Sequence, residues 1–277
     1  MSLSEQLVSY ILSAMMSWVP IGNQYERSHD GKWLHDSHGY FVREDADEAL
    51  ARYKVTAQAI VDVALDPSNP PLFLGMHRER DSLIGRVKTA LQKAAIASFE
   101  GGFHKFVESG DCNTPAFKKN HEKECDGGAA WTNFQIHLYR YIIRDGEMYQ
   151  SQYLEQSNNK EDREWIKEHK GEIITGKQLV DDPKLAAQVA YYIIRWSFKA
   201  HPNNLCGYTG EDCAGVHKLA TDRMDRARLY YHNNPFIYVE EAPAAPDLLR
   251  PVLDMLLGIA SPLQLPAFRQ QIQLQLN

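Results

Sequence analysis

Residues 94–103 read AAIASFEGGF, a run of small residues that ends in a glutamate and two glycines. Small and apolar residues recur at helical spacing from about Ser82 onward, which predicts a helix that ends at Glu100. The C-terminal end of a helix carries partial negative charge, which disfavours an ionised carboxylate. Apolar neighbours such as Phe99 and Phe103 would raise its pKa further by desolvation. Glu100 is therefore a candidate general acid, and the alternative is a solvated residue at a helix end.

Outward from this segment, the pattern predicts a mainly α-helical body. We expect no internal repeat and no strong series of strands. Further helices are predicted over residues 1–20, 48–65, 182–200 and 215–232. The third of these is apolar nearly all round and is expected to be central. In the last one, Arg223, Arg226 and Arg228 are assigned to the polar side.

The segments outside these helices are more polar. Residues 22–46 are expected to form an irregular connection, and residues 101–130 a long functional loop. Residues 242–246 are an Ala/Pro linker. An apolar helix is then predicted over 248–259, and the alternation of Gln with apolar residues over 264–277 suits an edge strand or a partner-binding segment.

The composition excludes several classes of protein. The chain has 277 residues, of which 44% are hydrophobic and 24% charged, so it holds enough apolar material for a core and is not mostly disordered. Its formal net charge of −6 argues against a nucleic-acid partner. No stretch approaches the roughly 18–20 uninterrupted apolar residues of a membrane span. We expect no transmembrane segment, no metal and no cofactor.

Four cysteines form two local pairs, Cys112 with Cys125 and Cys206 with Cys213. The surroundings of the cysteines are compatible with two disulfides or with four reduced thiols. Disulfides would imply that the protein acts in an oxidising compartment. A zinc site that combines Cys112 and Cys125 with His121 is a third alternative. Its spacings miss the usual pattern of zinc ligands.

A cysteine hydrolase is another alternative. Cys112 or Cys206 would be its nucleophile, and His104, His121 or His137 its base. Neither cysteine opens a helix beside basic residues that would lower the pKa of its thiol, which weighs against this class.

Three segments resemble, in order, motifs of the soluble lytic transglycosylase and goose-type lysozyme superfamily. Residues 94–103 resemble its small-residue helix that ends in Glu-Ser before Gly-Phe. Residues 127–136, GGAAWTNFQI, resemble its second motif, Gly-Ala-x-Gly-Leu-x-Gln-Ile. Residues 206–210, CGYTG, fall where the family shows Ala-Tyr-Asn-x-Gly. The resemblance covers about residues 50–232.

The sequence departs from the family's pattern in each motif. Gly101 stands in place of the usual Ser after the glutamate, and Thr209 in place of Asn. Residues 131–133, Trp-Thr-Asn, replace the Gly-Leu core of the second motif. These departures leave open a non-catalytic structural or wall-binding protein with the same fold.

The resemblance implies a fold and a set of residue roles. The fold is the α+β lysozyme-like one, a helical body with a short hairpin-like wall beside a glycan cleft. Glu100 would be the catalytic acid and then the base. Gln135 and the backbone around Phe134, with Ile136, would bind N-acetyl groups, and Tyr208 would line the cleft. The alternatives are that Gln135 satisfies a loop backbone and that Tyr208 is a core aromatic.

The implied substrate is the MurNAc-GlcNAc β-1,4 bond of the glycan strands of peptidoglycan. Glycosidases ordinarily use two carboxylates, and Glu108, Asp111 and Asp126 are the candidates for a second one. No motif marks any of the three. Lytic transglycosylases use a single glutamate and leave a 1,6-anhydro sugar. We therefore expect that outcome rather than hydrolysis.

The excess length lies outside the resemblance. We divide the chain into an N-terminal helix with an irregular extension (1–47), a lysozyme-like domain (48–235) and a linker with an apolar tail (236–277). Both ends are expected to dock in a larger assembly, such as a phage particle or a secretion system. The first residues lack the positive charge of a secretory signal, so we expect the protein to reach the bacterial wall by a non-classical route.

Overall fold

A computed structural model describes residues 1–72, 82–121, 123–137, 141–144, 147–150, 160–161, 164, 168, 174–201, 204–215 and 217–240. Within these ranges the protein is mainly helical, with 62% of residues in helices and 5% in strands, which confirms the predicted class at that level. None of the helices searched in these ranges is long and apolar enough to cross a bilayer. The predictions for residues 248–259 and 264–277 lie outside the described residues.

The elements follow one another along the chain in a simple order. The helices are α1 (Leu3–Trp18), α2 (Ala46–Leu65), α3 (Leu83–Glu100), α4 (Lys105–Glu108), α5 (Pro115–Asn120), α6 (Cys125–Gly128), α7 (Gly176–Asp181), α8 (Pro183–Ala200), α9 (Cys206–Thr209) and α10 (Lys218–Asn233). Two antiparallel pairs of strands are β1 (Ala130–Trp131) with β2 (Ile136–His137), and β3 (Tyr141–Arg144) with β4 (Glu147–Gln150).

Helix α3 occupies the centre of the core. Every residue from Thr89 to Ser98 is buried, and α1, α2, α8 and α10 pack around the helix. Its small side chains allow these neighbours to approach closely, and the Ser82 hydroxyl caps its first turn. Because the helix ends at Glu100, the core holds this carboxylate at its margin.

Helix α1 belongs to the same core. Its buried side chains recur at helical spacing and pack against α2 and α3; they are Leu7, Ile11, Ala14 and Met15. Residues 1–47 therefore contribute a core helix and not a detached extension. Residues 2–237 form one compact unit. Met1 and residues 238–277 form a second unit, of which the structure describes only Met1 and 238–240, without regular secondary structure.

Residues 24–44, which we call the aromatic ribbon, contain no named helix or strand, in keeping with the expected irregular connection, but backbone pairing organises them. Three short extended segments pair through isolated antiparallel bridges. Two tight turns join them, with Gly31 and Gly39 at positive φ. An aromatic residue and a glycine recur every eight residues, so the expectation of no internal repeat is wrong. Segments this short carry too few residues for a strand pattern to be recognised.

The segment 101–130 is more regular than the predicted long loop. It contains α4, α5, α6 and a 3₁₀ turn at Asp111–Asn113. The Thr114 hydroxyl caps α5, and Pro115 occupies its first turn. A disulfide between Cys112 and Cys125 joins the 3₁₀ turn to α6.

Candidate functional site

The Glu100 side chain is largely withdrawn from water, with 18% of its surface exposed. Its Oε1 accepts a hydrogen bond from Nε of Arg223 at 2.7 Å. Burial is the largest influence and raises the pKa of Glu100, while the charge and the hydrogen bond of Arg223 oppose this. The nearby charges of Asp126 and His137 act in opposite directions. The net result is a carboxyl whose pKa lies above its usual value.

Arg223 is not on the polar side of its helix, and that prediction is wrong. It is 7% exposed and lies on the buried side of α10, one turn from Ala220 and Ala227. Arg226 is also drawn inward, and its guanidinium lies 3.5 Å from the centroid of the Phe99 ring. Both arginines therefore pack on the end of α3 that carries Glu100.

Removal of the Arg223 charge is expected to raise the pKa of Glu100 further. A carboxyl whose folded-state pKa exceeds its unfolded value stabilises the fold at low pH, and this contribution is lost as the pH rises through the folded pKa. Arg223→Met should therefore lower the free energy of unfolding by about 1.5–3 kcal/mol at about pH 8 and by clearly less at about pH 4. Urea unfolding at the two pH values measures this difference.

Arg228 provides the control for that experiment. It lies on the exposed side of the same helix and pairs with Asp225. Arg228→Met is expected to change stability by less than about 0.5 kcal/mol at either pH. An equal loss at both pH values in Arg223→Met would contradict the coupling of Arg223 to Glu100.

The second motif forms the turn between β1 and β2. Thr132 and Gln135 both have positive φ, and the Phe134 and Ile136 side chains between and after them are buried at 3% and 1% exposure. Nε2 of Gln135 donates to the Thr132 carbonyl at 3.1 Å. The structure thus places Phe134 and Ile136 in the core and folds the Gln135 amide onto its own turn. The binding of N-acetyl groups by Gln135, Ile136 and the backbone around Phe134 stays a prediction.

All three motif segments nevertheless meet. A Cβ atom added to Gly101 would lie 2.4 Å from Cα of Asn133, so the backbones after Glu100 and in the turn are in close contact. The Tyr208 hydroxyl, from α9, donates to the Phe134 carbonyl. Tyr208 therefore holds the turn by a hydrogen bond to its backbone.

The close contact accounts for a glycine at position 101. Gly101→Ala is expected to destabilise the fold by about 1–3 kcal/mol, because the added carbon meets backbone atoms that cannot rotate away. It should also reduce any activity that depends on Glu100. Gly22→Ala is the control, since its added carbon meets only the end of the Arg43 side chain, at 3.8 Å. Equal thermal stability of the two variants would contradict this account.

An unusual backbone turn presents Asp126. Residues 125–128 have φ values of 47°, 48°, 66° and 76°, a left-handed run that glycine and aspartate tolerate best. The disulfide to Cys112 holds one end of this run. At the other end, Nδ2 of Asn113 donates to the carbonyls of Gly128 at 2.9 Å and Ala130 at 2.8 Å.

The Asp126 carboxylate projects toward β2. Its Oδ2 lies 2.7 Å from Nε2 of His137, and the aspartate is mostly exposed while the histidine is largely covered. The charges of both groups act on Glu100. Glu100 is thus withdrawn from water, and Asp126 is a largely exposed carboxylate whose charge raises the pKa of Glu100.

The other two candidate carboxylates lie elsewhere. Asp111 is at the surface, where it accepts from Ser109 and contacts His29. Glu108 faces a separate cavity of about 610 Å³, whose walls include Val55 and Leu179. Glu100 does not line this cavity.

Glu108 is held by three donors. Arg52 and Asn133 donate to its two oxygens, and Oγ1 of Thr56 donates to Oε1 at 2.7 Å. Burial raises the pKa of Glu108, and the Arg52 charge opposes that shift. Asn133 thus connects this network to the backbone that follows Glu100.

All four cysteines are paired in disulfides, Cys112–Cys125 and Cys206–Cys213. The zinc site with His121 and the cysteine hydrolase are therefore wrong, because each sulfur is bonded to another sulfur. Among the described residues, His201 lies close to Cys206 and Cys213, whose sulfurs are likewise bonded to each other.

No protein-family model, curated protein or solved structure matches this chain. The likeness to the transglycosylase and lysozyme motifs thus remains a resemblance of short segments, and the site must be judged on its own geometry.

Three features of the site were not predicted: the burial of Arg223, the contact of Asn133 with Gly101, and the pairing of Asp126 with His137. Arg223 had a signal, because it follows Ala220 by three residues and precedes Ala227 by four, the spacing of one helix face. Asn133 had none, since its role depends on contact with Gly101. The pairing of Asp126 with His137 depends on the left-handed turn, which the sequence indicates only through its two glycines.

Proposed function

We propose that this protein cleaves the MurNAc-GlcNAc β-1,4 bond of peptidoglycan with Glu100 as general acid and then base. The observation that carries the proposal is the environment of Glu100: a carboxyl at a helix end, withdrawn from water, with a raised pKa. A protonated carboxyl can donate its proton to a glycosidic oxygen as the bond breaks. The lysozyme-like fold is part of the same proposal, supported by the meeting of the three motif segments.

The proposed steps use the two carboxylates differently. Glu100 protonates the leaving oxygen, and the exposed Asp126 carboxylate supports the positive charge that develops on the sugar ring. The charge is then quenched by the sugar's own 6-hydroxyl, which gives a 1,6-anhydro end, or by water, which gives a reducing end. Glu100 accepts the proton of the attacking group, which is the 6-hydroxyl in the first route and water in the second. We favour the anhydro product, because no motif around Asp126 marks it as the activator of a water.

Mass spectrometry of digested peptidoglycan tests the proposal. Anhydro ends would support a lytic transglycosylase, and reducing ends would assign a lysozyme. The absence of any product from wall material of several chemotypes would overturn the enzymatic proposal.

A second candidate is a non-catalytic wall-binding or structural protein, for example one docked in a phage particle or a secretion assembly. The ion pair between Glu100 and Arg223 favours it, because a permanently paired carboxylate is a structural feature. Under this alternative the wall is bound without products. Sedimentation of the protein with insoluble peptidoglycan, run beside the mass spectrometry, separates the two candidates.

A further inference from the structure

The aromatic ribbon brings three rings together on one face. Tyr25, Trp33 and Phe41 are eight residues apart, and the pairing of the segments places them side by side. Their ring centroids lie 5.8–6.5 Å apart with interplanar angles of 65–90°. His35 adds a fourth ring, 4.8 Å from Phe41. Phe41 is 52% exposed, so this cluster is open to solvent at one end.

The opposite end of the ribbon is fixed to the body. The Arg27 guanidinium lies 3.7 Å from the Trp33 ring and 4.4 Å from the Phe106 ring, and it pairs with Glu124. Nδ2 of Asn120 donates to the Asp30 carbonyl at 2.9 Å. These contacts join the ribbon to the region that ends at Cys125, the residue before Asp126. A ligand on the ribbon would thus be held at a fixed distance from the candidate site.

The charges on and around the ribbon are largely neutralised in pairs. These pairs are Arg27 with Glu124, Lys105 with Glu26, and Lys32 with Asp30. The exposed end offers aromatic rings beside the His35 imidazole, the Ser37 hydroxyl and the Asp36 carboxylate, which accepts from the backbone N–H groups of His38 and Tyr40 at 2.8 and 3.0 Å. A surface of this kind complements a neutral ligand that has an apolar face and a hydroxyl edge. A pyranose ring has both.

We propose that the exposed end of the aromatic ribbon, around Phe41, is a second glycan-binding surface that holds the sugar strand outside the catalytic site. The proposal rests on the glycan substrate proposed above. Phe41 packs against the C–H face of a sugar ring, and His35 provides a hydrogen bond at its edge. The surface retains the polymer while the carboxylates act on a bond elsewhere along it.

Binding of the full chain to insoluble peptidoglycan, stripped of attached proteins and anionic polymers, tests the surface. All variants carry Glu100→Gln so that cleavage does not remove the ligand. Phe41→Ala and Phe41→Leu are expected to weaken binding by about 3- to 10-fold, because both lose the flat ring while the second keeps an apolar side chain that supports the ribbon. Leu34→Ala is the matched control, an exposed apolar residue on the other face of the same ribbon, and it should bind within twofold of the parent.

The outcomes are separable from those for the proposed enzyme. Soluble tri-N-acetylglucosamine should compete with the parent for the wall material, and thermal melting should show that all variants are folded. Three outcomes would overturn the proposed glycan-binding surface. These are unchanged binding in both Phe41 variants, an equal loss of binding in Leu34→Ala, and no binding by the parent. Binding that depends on Phe41, without any cleavage by the unmodified chain, would support the glycan-binding surface and reject the proposed enzyme. Cleavage together with binding that does not depend on Phe41 would support the enzyme and reject the surface.

Discussion

Replacement of Glu100 by glutamine is expected to lower the rate of peptidoglycan cleavage by about 10²- to 10⁴-fold, the usual contribution of a positioned general acid. Glutamine has nearly the same shape, and its amide oxygen can still accept the hydrogen bond from Arg223. It has no proton to donate at neutral pH. The variant should therefore remain folded and lose only the chemistry, as measured by release of soluble fragments from purified wall material.

Two controls make the Glu100 result specific. Glu48→Gln removes a largely exposed glutamate that pairs with Lys105, and it should leave the rate within about twofold, as for a surface ion pair. Activity of the unmodified chain should also decline as the pH rises through the raised pKa of Glu100, because the acid is then ionised. A Glu100→Gln variant with undiminished activity would reject Glu100 as the acid.

The long helices could be predicted because their side chains carry the signal. Helices α2, α3, α8 and α10 begin and end within about three residues of the sequence expectation. Helices α2, α8 and α10 show the helical spacing of buried residues, and α3 is a long run of small and apolar residues. The aromatic ribbon could not be predicted in the same way. Its extended segments are held by a few backbone hydrogen bonds and by contacts among rings from three different segments.

The residues of the candidate site differ in the same way, because some carry a local signal in the sequence and others depend on contacts between distant segments. Glu100 was predictable, because the end of a small-residue helix is a local feature. The close approach of Gly101 to Asn133 and the bond from Tyr208 to Phe134 join residues about 32 and 74 positions apart. No local pattern specifies such contacts. The buried position of Arg223 required only that its spacing from Ala220 and Ala227 be read as a helix face.

Loss of the Glu108 carboxylate is expected to have the largest effect on stability. Glu108 is nearly buried and receives hydrogen bonds from Arg52, Thr56 and Asn133. Glu108→Ala would leave the Thr56 hydroxyl and the Asn133 amide without their acceptor, while Arg52 would keep its ion pair with Glu44. A buried donor without an acceptor typically costs about 1–3 kcal/mol, so two such donors and one weakened ion pair together cost about 3–5 kcal/mol. We expect a loss in that range, measured by urea unfolding at neutral pH.

Asp111→Ala is the matched control, because Asp111 lies three residues away at the surface and should contribute at most about 1 kcal/mol. Glu108→Gln gives a sharper test than the alanine variant. Its amide can keep its oxygen toward Arg52 and turn its N–H₂ group toward Thr56, whose hydroxyl can also accept, so it should recover part of the lost stability and lose the contribution of the charge. Full stability in Glu108→Gln would mean that the network depends on shape and not on charge. In Glu108→Ala, the proposed activity should fall further than unfolding alone explains, because Asn133 is then free to shift against Gly101 beside Glu100.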